Sequence, residues 1–256
     1  MMKILKTLAA VGIALATLSG AAVADMKVRI GTEGAYPPFN FKDASGELKG
    51  FDIDIAKALC ASMKAECTFV AQDWDGIIPA LLAKKYDAII ASMSITDERK
   101  KKVDFTDKYY NTPAKFIVDK KGGISDVSVA ALKGKAIGAQ GSTIHANFLE
   151  DKYKGSSIKL YKTQDEANAD LASGRLDAVL ADSAVLNEWL KKKDGACCKF
   201  TGPDFTEVKY FGNGAGIAVR KGDDKLREAL NKAIKSILDD GTYKKINDKY
   251  FPFSVY

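Results

Sequence analysis

One short motif occurs twice in the chain, and its repetition is the strongest constraint on the fold. Residues 81–92 and 171–182 align without gaps, as LLAKKYDAIIAS and LASGRLDAVLAD. Each copy ends in a short apolar run, which is typical of a buried strand. A weaker echo, in the same order, pairs IGTEG at 30–34 with IGAQG at 137–141. The repetition predicts two half-chains with a common strand-and-loop arrangement; the alternative is a commonplace helix–strand junction.

Polar side chains follow the first copy of this motif, directly after its apolar run. Three hydroxyl groups, those of Ser92, Ser94 and Thr96, precede the guanidinium of Arg99. In open α/β sheets, ligands bind beyond the carboxyl ends of the strands, where these residues are expected to lie. Hydroxyl oxygens accept hydrogen bonds from an ammonium group, and Arg holds a carboxylate with two parallel bonds. The segment therefore predicts a site for a small zwitterion.

The first 24 residues are typical of an export signal rather than of a folded element. A positively charged start precedes the apolar run Leu8–Leu18, and an Ala-Val-Ala sequence ending at Ala24 is a small-residue cleavage site. The apolar run is too short to cross a bilayer. We expect cleavage after Ala24 and, in a bacterium, export to the periplasm. The remaining 232 residues, starting at Asp25, are enough for two lobes of ordinary size.

Charge and composition exclude several function classes. Removal of the export signal takes away two lysines and no acidic residue, so the formal charge falls from +6 to +4. The basic residues form no stripe interleaved with aromatic residues, so we expect no nucleic-acid partner. The run Lys100–Lys102 is interpreted as a solvated face. The single histidine, His145, has no ligand spacing around it, so we expect neither a metal nor another cofactor.

The sequence contains four cysteines and is expected to reach an oxidising compartment. Cys60 and Cys67 bracket a short segment between a predicted helix and the next strand. A disulfide there would contribute about 2–3 kcal/mol to stability. Cys197 and Cys198 are adjacent. Because a bond between neighbouring cysteines is uncommon, we expect this pair to be reduced or to bond elsewhere.

Two loops in the first half provide further candidate site residues. A proline-containing loop after the first predicted strand carries Glu33 and Tyr36, and the residue before a proline is held extended. Trp74 lies at the next strand-to-helix junction. The alternatives are a solvated acid for Glu33 and core positions for the two aromatic residues. Asp52 begins a predicted helix, near its positive N-terminus, and is interpreted as a cap.

The second half provides a candidate anion site and a second acid. Gln140 ends a predicted strand, and Ser142 and Thr143 lie at the N-terminus of a helix predicted from residue 144. Free backbone amides and the helix dipole attract an anion at such a place, although Ser and Thr there more commonly cap the helix alone. Asp182 ends the second copy of the motif, opposite Ser92 in the first.

Longer phrases distributed over the whole mature chain resemble one family. They are GTEGAYPPFNF, GFDIDIAKALC, DWDGIIPALLAKKYDAIIASMSITDERKKKVDFT, GSTIHANF, GRLDAVLAD and DGTYKKINDKYF. Together they are similar to the periplasmic binding proteins of polar amino-acid ABC importers, and in particular to the lysine/arginine/ornithine- and histidine-binding type. The same family includes octopine- and nopaline-binding proteins.

The resemblance implies an α/β protein with the two-lobed, type II periplasmic binding protein fold. Each lobe would contain a mixed sheet flanked by helices, with two crossing strands as the hinge. The implied units are lobe 1 at 25–112 and 214–256, lobe 2 at 113–205, and a return hinge at 206–213. The resemblance also implies the disulfide Cys60–Cys67. It further implies a monomer that closes on its ligand and contacts the membrane subunits of an ABC permease transiently.

The resemblance also assigns the groups of an amino acid to individual residues. Arg99 and the amides near Ser94 and Thr143 would hold the α-carboxylate. Asp182, Ser94 and the backbone carbonyl of Ser92 would hold the α-ammonium group. An enclosed ion costs several kcal/mol unless it is paired, and each charge would have a partner of opposite sign. Glu33 would meet a cationic side chain that packs on Tyr36 and Trp74. The full predicted set is Glu33, Tyr36, Trp74, Ala91, Ser92, Ser94, Arg99, Gln140, Ser142, Thr143 and Asp182.

Three positions depart from the pattern of binders of basic amino acids. Glu33 replaces a shorter Asp, Trp74 replaces a Phe, and Ala91 replaces a Ser, a combination similar to that of opine-binding members. Because Asp182 favours an ordinary α-ammonium group, we predict arginine, ornithine, lysine or histidine, with octopine or nopaline as the alternative.

Two other functions are compatible with the same fold. A secreted dehydratase of the cyclohexadienyl or arogenate type would use Glu33 as its general acid or base. Asp182 would repel the dicarboxylate substrate of such an enzyme, so we predict a binding protein and not an enzyme. A sensory partner of a chemoreceptor would use the same ligand site.

Overall fold

The computed structural model describes residues 26–256, and the predicted export signal lies outside the described residues. The strands are β1 (Met26–Thr32), β2 (Ala35–Tyr36), β3 (Asn40–Lys42), β4 (Leu48–Lys49), β5 (Ala65–Ala71), β6 (Ala88–Ile89), β7 (Val103–Tyr110), β8 (Ala114–Asp119), β9 (Ala136–Gln140), β10 (Ser157–Tyr161), β11 (Ala178–Asp182), β12 (Cys198–Phe205) and β13 (Ala215–Arg220). The α-helices are α1 (Phe51–Ser62), α2 (Ile77–Leu82), α3 (Asp97–Lys100), α4 (Ile144–Lys152), α5 (Gln164–Ala172), α6 (Ser183–Leu190), α7 (Val208–Phe211), α8 (Asp224–Asp239) and α9 (Thr242–Tyr250). No helix among the described residues is long and apolar enough to cross a membrane.

Two five-stranded mixed sheets organise the molecule, and their strand orders correspond. The first sheet has the order β5-β1-β6-β13-β7, and the second has the order β10-β9-β11-β8-β12. In each sheet the first three strands are parallel and the last two run antiparallel to their neighbours. A small antiparallel sheet, β2-β3-β4, lies beside the first. The predicted two-lobed α/β fold with mixed sheets is therefore confirmed.

The repeated motif occupies the same place in both sheets, which confirms the prediction of a common arrangement. Its apolar run forms β6 in the first lobe and β11 in the second, each parallel to the strand that carries the echo. The motif's acid anchors the start of that strand, because the backbone amide of Arg29 donates to Asp87 at 3.1 Å and that of Ala136 donates to Asp177 at 2.8 Å. The two lobes therefore share a local register as well as a topology.

One glycine in β1 and one in β9 make this packing possible. A Cβ atom on Gly31 would lie 2.5 Å from the ring of Tyr86, and one on Gly138 would lie 2.4 Å from a methyl group of Leu176. Tyr86 and Leu176 occupy the same position of the repeated motif. Real Cβ atoms do not approach other atoms so closely. The glycine of each IG sequence is therefore required, because the bulky side chain of the repeated motif packs against it.

The hydrophobic core covers both faces of each sheet, as expected where helices pack on both sides. In the first lobe, α1, α8 and α9 cover one face and α2 covers the other. In the second lobe, α4 covers one face and α5 and α6 cover the other. Helix α8 follows from its sequence, since buried residues recur at helical spacing through Leu226, Leu230 and Ile234.

The chain crosses between the sheets twice, and the two crossings differ. The first runs directly from β7 into β8 through residues 111–113. The second runs from β12 to β13 through the predicted return hinge at 206–213, and it contains the four-residue helix α7. The first sheet takes its strands from 26–110 and 215–220, and the second from 114–205. The lobe limits stated above stay predictions, because strand membership alone does not define them.

The four cysteines form two disulfides. Cys60 bonds Cys67 across the joint between α1 and β5, as predicted. Cys197 bonds its neighbour Cys198, so the expectation of a reduced pair or a distant partner is wrong. The two sulfurs meet where a single-turn 3-10 helix, Asp194–Cys197, passes into β12. Lys120 donates to the carbonyl of Ala196 at 2.8 Å and further fixes this turn.

Candidate ligand-binding cleft

A cavity lies between the two lobes, at the carboxyl ends of the parallel strands. Ten of the eleven predicted site residues line it, and they come from loops of both lobes. From the first lobe these residues are Glu33, Tyr36, Trp74, Ala91, Ser92, Ser94 and Arg99, and from the second they are Gln140, Thr143 and Asp182. The cleft position agrees with the rule that open α/β sheets bind ligands beyond the ends of their strands.

Glu33 and Gln140 meet across the cleft. Glu33 directly follows β1, and Gln140 is the last residue of β9. The Gln140 side-chain amide donates to a Glu33 carboxylate oxygen at 2.5 Å. The same amide also donates to the carbonyl of Lys162 at 3.1 Å, which holds it in place. Burial raises the pKa of Glu33 to about 7, against the opposing effect of the Gln140 bond. Glu33 is therefore a buried acid that a cation would favour in its ionised form.

Arg99 provides the positive charge of the cleft. Its side chain donates to the carbonyl of Ser94 at 3.0 Å, and its guanidinium carbon lies 5.2 Å from the centre of the Trp74 ring. The hydroxyl of Thr96 accepts from the Arg99 amide at 3.2 Å and caps the short helix α3. Burial lowers the pKa of Arg99 to about 10, which leaves it charged at neutral pH. Such a group favours a carboxylate partner.

Asp182 is the acid that the second lobe contributes. It caps α6 by accepting from the Ala184 amide at 2.9 Å, and it also accepts from the hydroxyl of Thr112 in the first crossing. Burial raises the pKa of Asp182 to about 6, although these bonds oppose the shift. The carboxylate is thus fixed in orientation while it faces the cavity.

Ser142 is the predicted residue that does not line the cavity. Its side chain is exposed, and its backbone has a positive φ of 59°. Its carbonyl accepts from the Trp74 indole at 3.0 Å and so joins the two lobes. Thr143 does line the cavity, and its hydroxyl caps α4 by accepting from the Ala146 amide at 3.1 Å.

Several cavity residues were not predicted, and most come from the crossings or from the strand ends beside them. Thr112 and Phe211 come from the two crossing segments, where a two-lobed fold necessarily exposes residues to the cleft. His145 is almost fully buried against the cavity, and burial together with the nearby Arg99 charge lowers its pKa to about 3. It is therefore neutral. The unpredicted lining residues are Tyr110, Asn111, Thr112, Ala114, Ile144, His145, Phe211, Gly214 and Ala215.

One group of side chains in the described part of the chain has the spacing of a metal site. Asp119, Cys197 and Cys198 lie close together on the second lobe, away from the cleft. Because the two sulfurs are bonded to each other, they are not available as thiolate ligands. The cavity itself is lined by one imidazole, that of His145, and by the carboxylates of Glu33 and Asp182.

The fold and the cleft together define the class of this protein. Two α/β lobes, connected by two crossings, enclose a cavity lined by charges of both signs. This is the architecture of a two-lobed extracytoplasmic solute-binding protein. The chain belongs to the bacterial extracellular solute-binding proteins, family 3, whose sequence profile matches residues 28–253.

Individual relatives are similar over nearly their whole length. The chain is 49% identical to the L-arginine-binding protein of Pseudomonas aeruginosa, over 100% of this chain and 99% of the relative. It is 45% identical to the lysine/arginine/ornithine-binding periplasmic protein of Escherichia coli, over 96% and 95% of the two chains. A solved Salmonella typhimurium periplasmic binding protein with high arginine specificity superimposes with a TM-score of 0.82 at 35% identity, covering 88% of this chain and 99% of that one. These relatives are binding proteins rather than enzymes.

Proposed function

We propose that the protein captures a cationic L-amino acid in its cleft, with arginine bound most tightly. The observation that carries this proposal is the distribution of charge in the cavity. Among the lining residues within 26–256, Arg99 is positively charged, whereas Glu33 and Asp182 are acids in separate loops. An amino acid with a basic side chain has the complementary set, one negative and two positive groups. Each charge would then be paired as the cleft excludes water.

The ligand's α-carboxylate would bind Arg99 and the amides at the N-terminus of α4. The guanidinium is held by the Ser94 carbonyl at 3.0 Å and by contact with Trp74, so it is preorganised. Free amides of a helix N-terminus favour an anion, and Thr143 at this N-terminus lines the cavity. Such bonds are charge-assisted on both sides. Every amino acid would use this part of the site.

The α-ammonium group would bind Asp182 together with Ser92 and Ser94. These residues line the same cavity, and they end corresponding strand segments of the two lobes. A bound ammonium would lower the pKa of Asp182 from its burial-raised value of about 6, since an opposite charge favours the ionised form. This contact requires a free α-ammonium group.

The cationic side chain would bind Glu33 and pack on Tyr36 and Trp74. Glu33 and Gln140 together present carboxylate and amide oxygens from both lobes. A guanidinium has five donors in a plane and suits such a pair better than a single ammonium does. Aromatic faces favour a desolvated cation by about 1–2 kcal/mol. Arginine is thus the preferred side chain, in agreement with the 49% identical L-arginine-binding protein of Pseudomonas aeruginosa.

Capture by lobe closure would precede delivery to the membrane subunits of an ABC permease. The lobes already contact each other through Gln140 to Glu33 and through Trp74 to the Ser142 carbonyl, so closure would tighten around the ligand. We further propose that the protein acts as a monomer in the periplasm after cleavage behind Ala24. The relatives named above support this setting, since the Escherichia coli protein is periplasmic by name.

An opine such as octopine remains the second candidate because of Glu33, Trp74 and Ala91, all of which line the cavity. An opine has a second carboxylate and a substituted α-nitrogen. Among the described lining residues, Arg99 is the one cation available to two carboxylates, and Asp182 would face the added one. The charge balance therefore favours the simple amino acid.

A thermal-shift screen tests the proposal. Protein unfolded and refolded to remove any bound ligand is heated with single amino acids, octopine, nopaline or prephenate. A ligand bound by the folded state raises the melting temperature, and we expect the largest rise with arginine. Arg99→Ala should abolish the rise, whereas Lys100→Ala, at an exposed neighbour, should preserve it. A larger rise with an opine, or loss of prephenate over time, would overturn the proposal.

A further inference from the structure

A buried carboxylate lies directly behind the wall of the cleft. Asp52, in the first turn of α1, is fully buried. The expectation that it caps this helix is wrong, because the N-cap is Gly50 and Asp52 points into the lobe. It accepts hydrogen bonds from the side chains of Asn40 at 2.8 Å, Ser92 at 3.0 Å and Tyr109 at 2.8 Å. A charged group buried without access to water requires such partners.

Ser92 is the residue of this group that reaches the cavity, and it is held on two sides. Its hydroxyl donates to one oxygen of Asp52, and its backbone amide donates to the Tyr109 hydroxyl at 3.2 Å, which in turn donates to the other oxygen. Its φ is +55°, a conformation that is uncommon for any residue except glycine. Such backbone persists only where the surroundings determine it fully.

The direction of these bonds has a chemical consequence for the cavity. A serine hydroxyl has one proton and two lone pairs. Since the proton of Ser92 is committed to Asp52, the oxygen can present only lone pairs to a ligand. It is therefore an acceptor, and the carboxylate behind it increases its negative charge. Burial raises the pKa of Asp52 to about 6, which leaves it ionised at neutral pH.

The same group also reaches the loop that carries Glu33. The side-chain oxygen of Asn40 accepts from the amide of Gly34 at 2.8 Å, while its nitrogen donates to Asp52. The buried carboxylate of Asp52 thus connects two first-lobe segments that line the cleft, the loop that carries Glu33 and the segment that carries Ser92. Nothing in hydrophobic packing alone requires a charge at this position.

We propose that Asp52 is a positioning residue for the ligand's α-ammonium group, which it serves by fixing the Ser92 hydroxyl as an acceptor. The proposal rests on the proposed function, because it assumes an amino acid in the cleft. Asp52 does not itself contact the ligand. Its removal is expected to weaken binding through Ser92 and to leave the opposite lobe unaffected.

A double-substitution cycle on arginine affinity tests the proposal. Asp52→Asn keeps the size of the side chain, and its amide can donate to Ser92, so the hydroxyl is free to turn. Asp52→Asn and Ser92→Ala should each weaken arginine binding about tenfold, the usual effect of one hydrogen bond to a charged group. The combined variant should lose about as much as the larger single loss. If Asp52 had a merely structural role, its effect would be independent of Ser92. The two tenfold losses of affinity would then multiply to about a hundredfold in the combined variant.

The controls separate failure of this inference from failure of the proposed function. Asp54→Asn, two residues along α1, removes an acid that bonds Lys249 and Tyr250 instead, and should leave affinity unchanged. If Asp52→Asn does not fold, Asp52→Ser replaces it in the cycle, since this smaller side chain fits the same space and also removes the carboxylate that accepts from the Ser92 hydroxyl. Multiplying losses, or an Asp52→Asn protein with full affinity, would overturn the inference while arginine binding by the unsubstituted protein stands. Absence of arginine binding by the unsubstituted protein would overturn both.

Discussion

The two lobes have the same scaffold, but their acids stand at different positions of it. At the carboxyl ends of β1 and β9, the first lobe has Glu33 where the second has Gln140. At the end of the repeated motif, the first lobe has Ser92 where the second has Asp182. Each lobe thus contributes one acid, but at a different strand. The two acids of the cavity therefore come from different loops, one in each lobe. Two like charges in contact would raise the pKa of one acid strongly, whereas separate acids can each hold a cation.

The comparison also separates scaffold from site. Residues that hold the strands together keep the same chemistry in both lobes: Asp87 and Asp177 accept from a strand amide, and Gly31 and Gly138 admit a bulky neighbour. The residues at or just after the carboxyl ends of the strands differ between the lobes, and these residues line the cleft. Substitutions at the two kinds of position should accordingly affect different measurements.

The largest effect is expected from Asp182→Asn. The amide can still cap α6, so folding should persist, but the ammonium group loses its ionic partner. Removing one member of a buried charge pair costs about 2–5 kcal/mol, so affinity for all amino acids should fall roughly 30- to 3000-fold by calorimetry. Asp177→Asn, in the same motif, is the matched control and should lower stability without changing affinity. Full arginine affinity in Asp182→Asn would break the assignment of the two acids.

The scaffold could be predicted from the sequence, because its signals are local. The apolar runs, the helical spacing in α8 and the polar residues just after strands all lie within single elements. Strands β10 and β12 were missed, since β10 is largely exposed and β12 contains Gly202 and Pro203, so both lack the apolar pattern of a core strand.

The parts of the site that were missed depend on contacts between distant segments. Asp52 resembles a cap in sequence, and its burial depends on Asn40 and Tyr109, which pack against it in the folded lobe. Thr112 enters the cleft only because the chain crosses between lobes there. The positive φ of Ser142 could not be predicted either, because no residue type other than glycine signals such a backbone reliably.

A second prediction concerns the side-chain end of the site. Glu33→Gln should weaken arginine and lysine binding about 10- to 100-fold while glutamine binding changes little, because the ionic partner of the basic side chain alone is lost. The substituted amide can still accept from Gln140. Calorimetry with the three ligands measures this selectivity. Unchanged arginine and lysine affinity would make the assignment of Glu33 wrong.

Exchanging the two residues sharpens the same comparison. In the combined variant Glu33→Gln with Gln140→Glu, the acid moves from the first lobe to the second across a contact of 2.5 Å. The net charge of the cavity is unchanged, so part of the arginine affinity lost in Glu33→Gln should return. A further loss would mean that the position of the acid matters more than the charge it brings.

A third prediction concerns stability rather than affinity. Gly31→Ala should lower the free energy of unfolding by about 1–3 kcal/mol, the usual cost of overpacking, because the new methyl group meets the ring of Tyr86. That ring is fully buried and its hydroxyl bonds the carbonyl of Ile77, so it cannot move easily. Gly138→Ala should cost less, since the nearest atom belongs to the flexible end of Leu176. Urea denaturation measures both, and an equal or larger cost at Gly138 would contradict the steric argument.

The smallest effect expected is a pH dependence of arginine affinity that arises from Glu33, the acid of the first lobe. The pKa of Glu33 is about 7, above its ordinary value of 4.5, because of burial and the nearby Asp73 and Asp165 charges. In the folded protein Glu33 is thus protonated below about pH 7, and a bound cation must displace that proton. Arginine affinity should therefore fall by up to about tenfold for each pH unit below 7 and level off above it. Without ligand the sign reverses: a raised pKa favours the folded state at low pH, so this contribution to stability declines as pH rises from 4.5 towards 7.

A second ligand isolates this acid from the other one. Asp182, with a pKa of about 6, would meet the α-ammonium group of every amino acid under the proposed function and should affect arginine and glutamine equally. The ratio of arginine to glutamine affinity should consequently follow Glu33 alone and rise with pH. Calorimetry in buffers of different ionisation enthalpy should also show that arginine releases more protons than glutamine near pH 6, because both ligands affect Asp182 and only arginine affects Glu33. Glu33→Gln should abolish both this difference and the pH dependence of the affinity ratio. A ratio that does not change with pH would mean that Glu33 is already ionised in the cleft, and that the two lobes differ in the position of their acids but not in how those acids titrate.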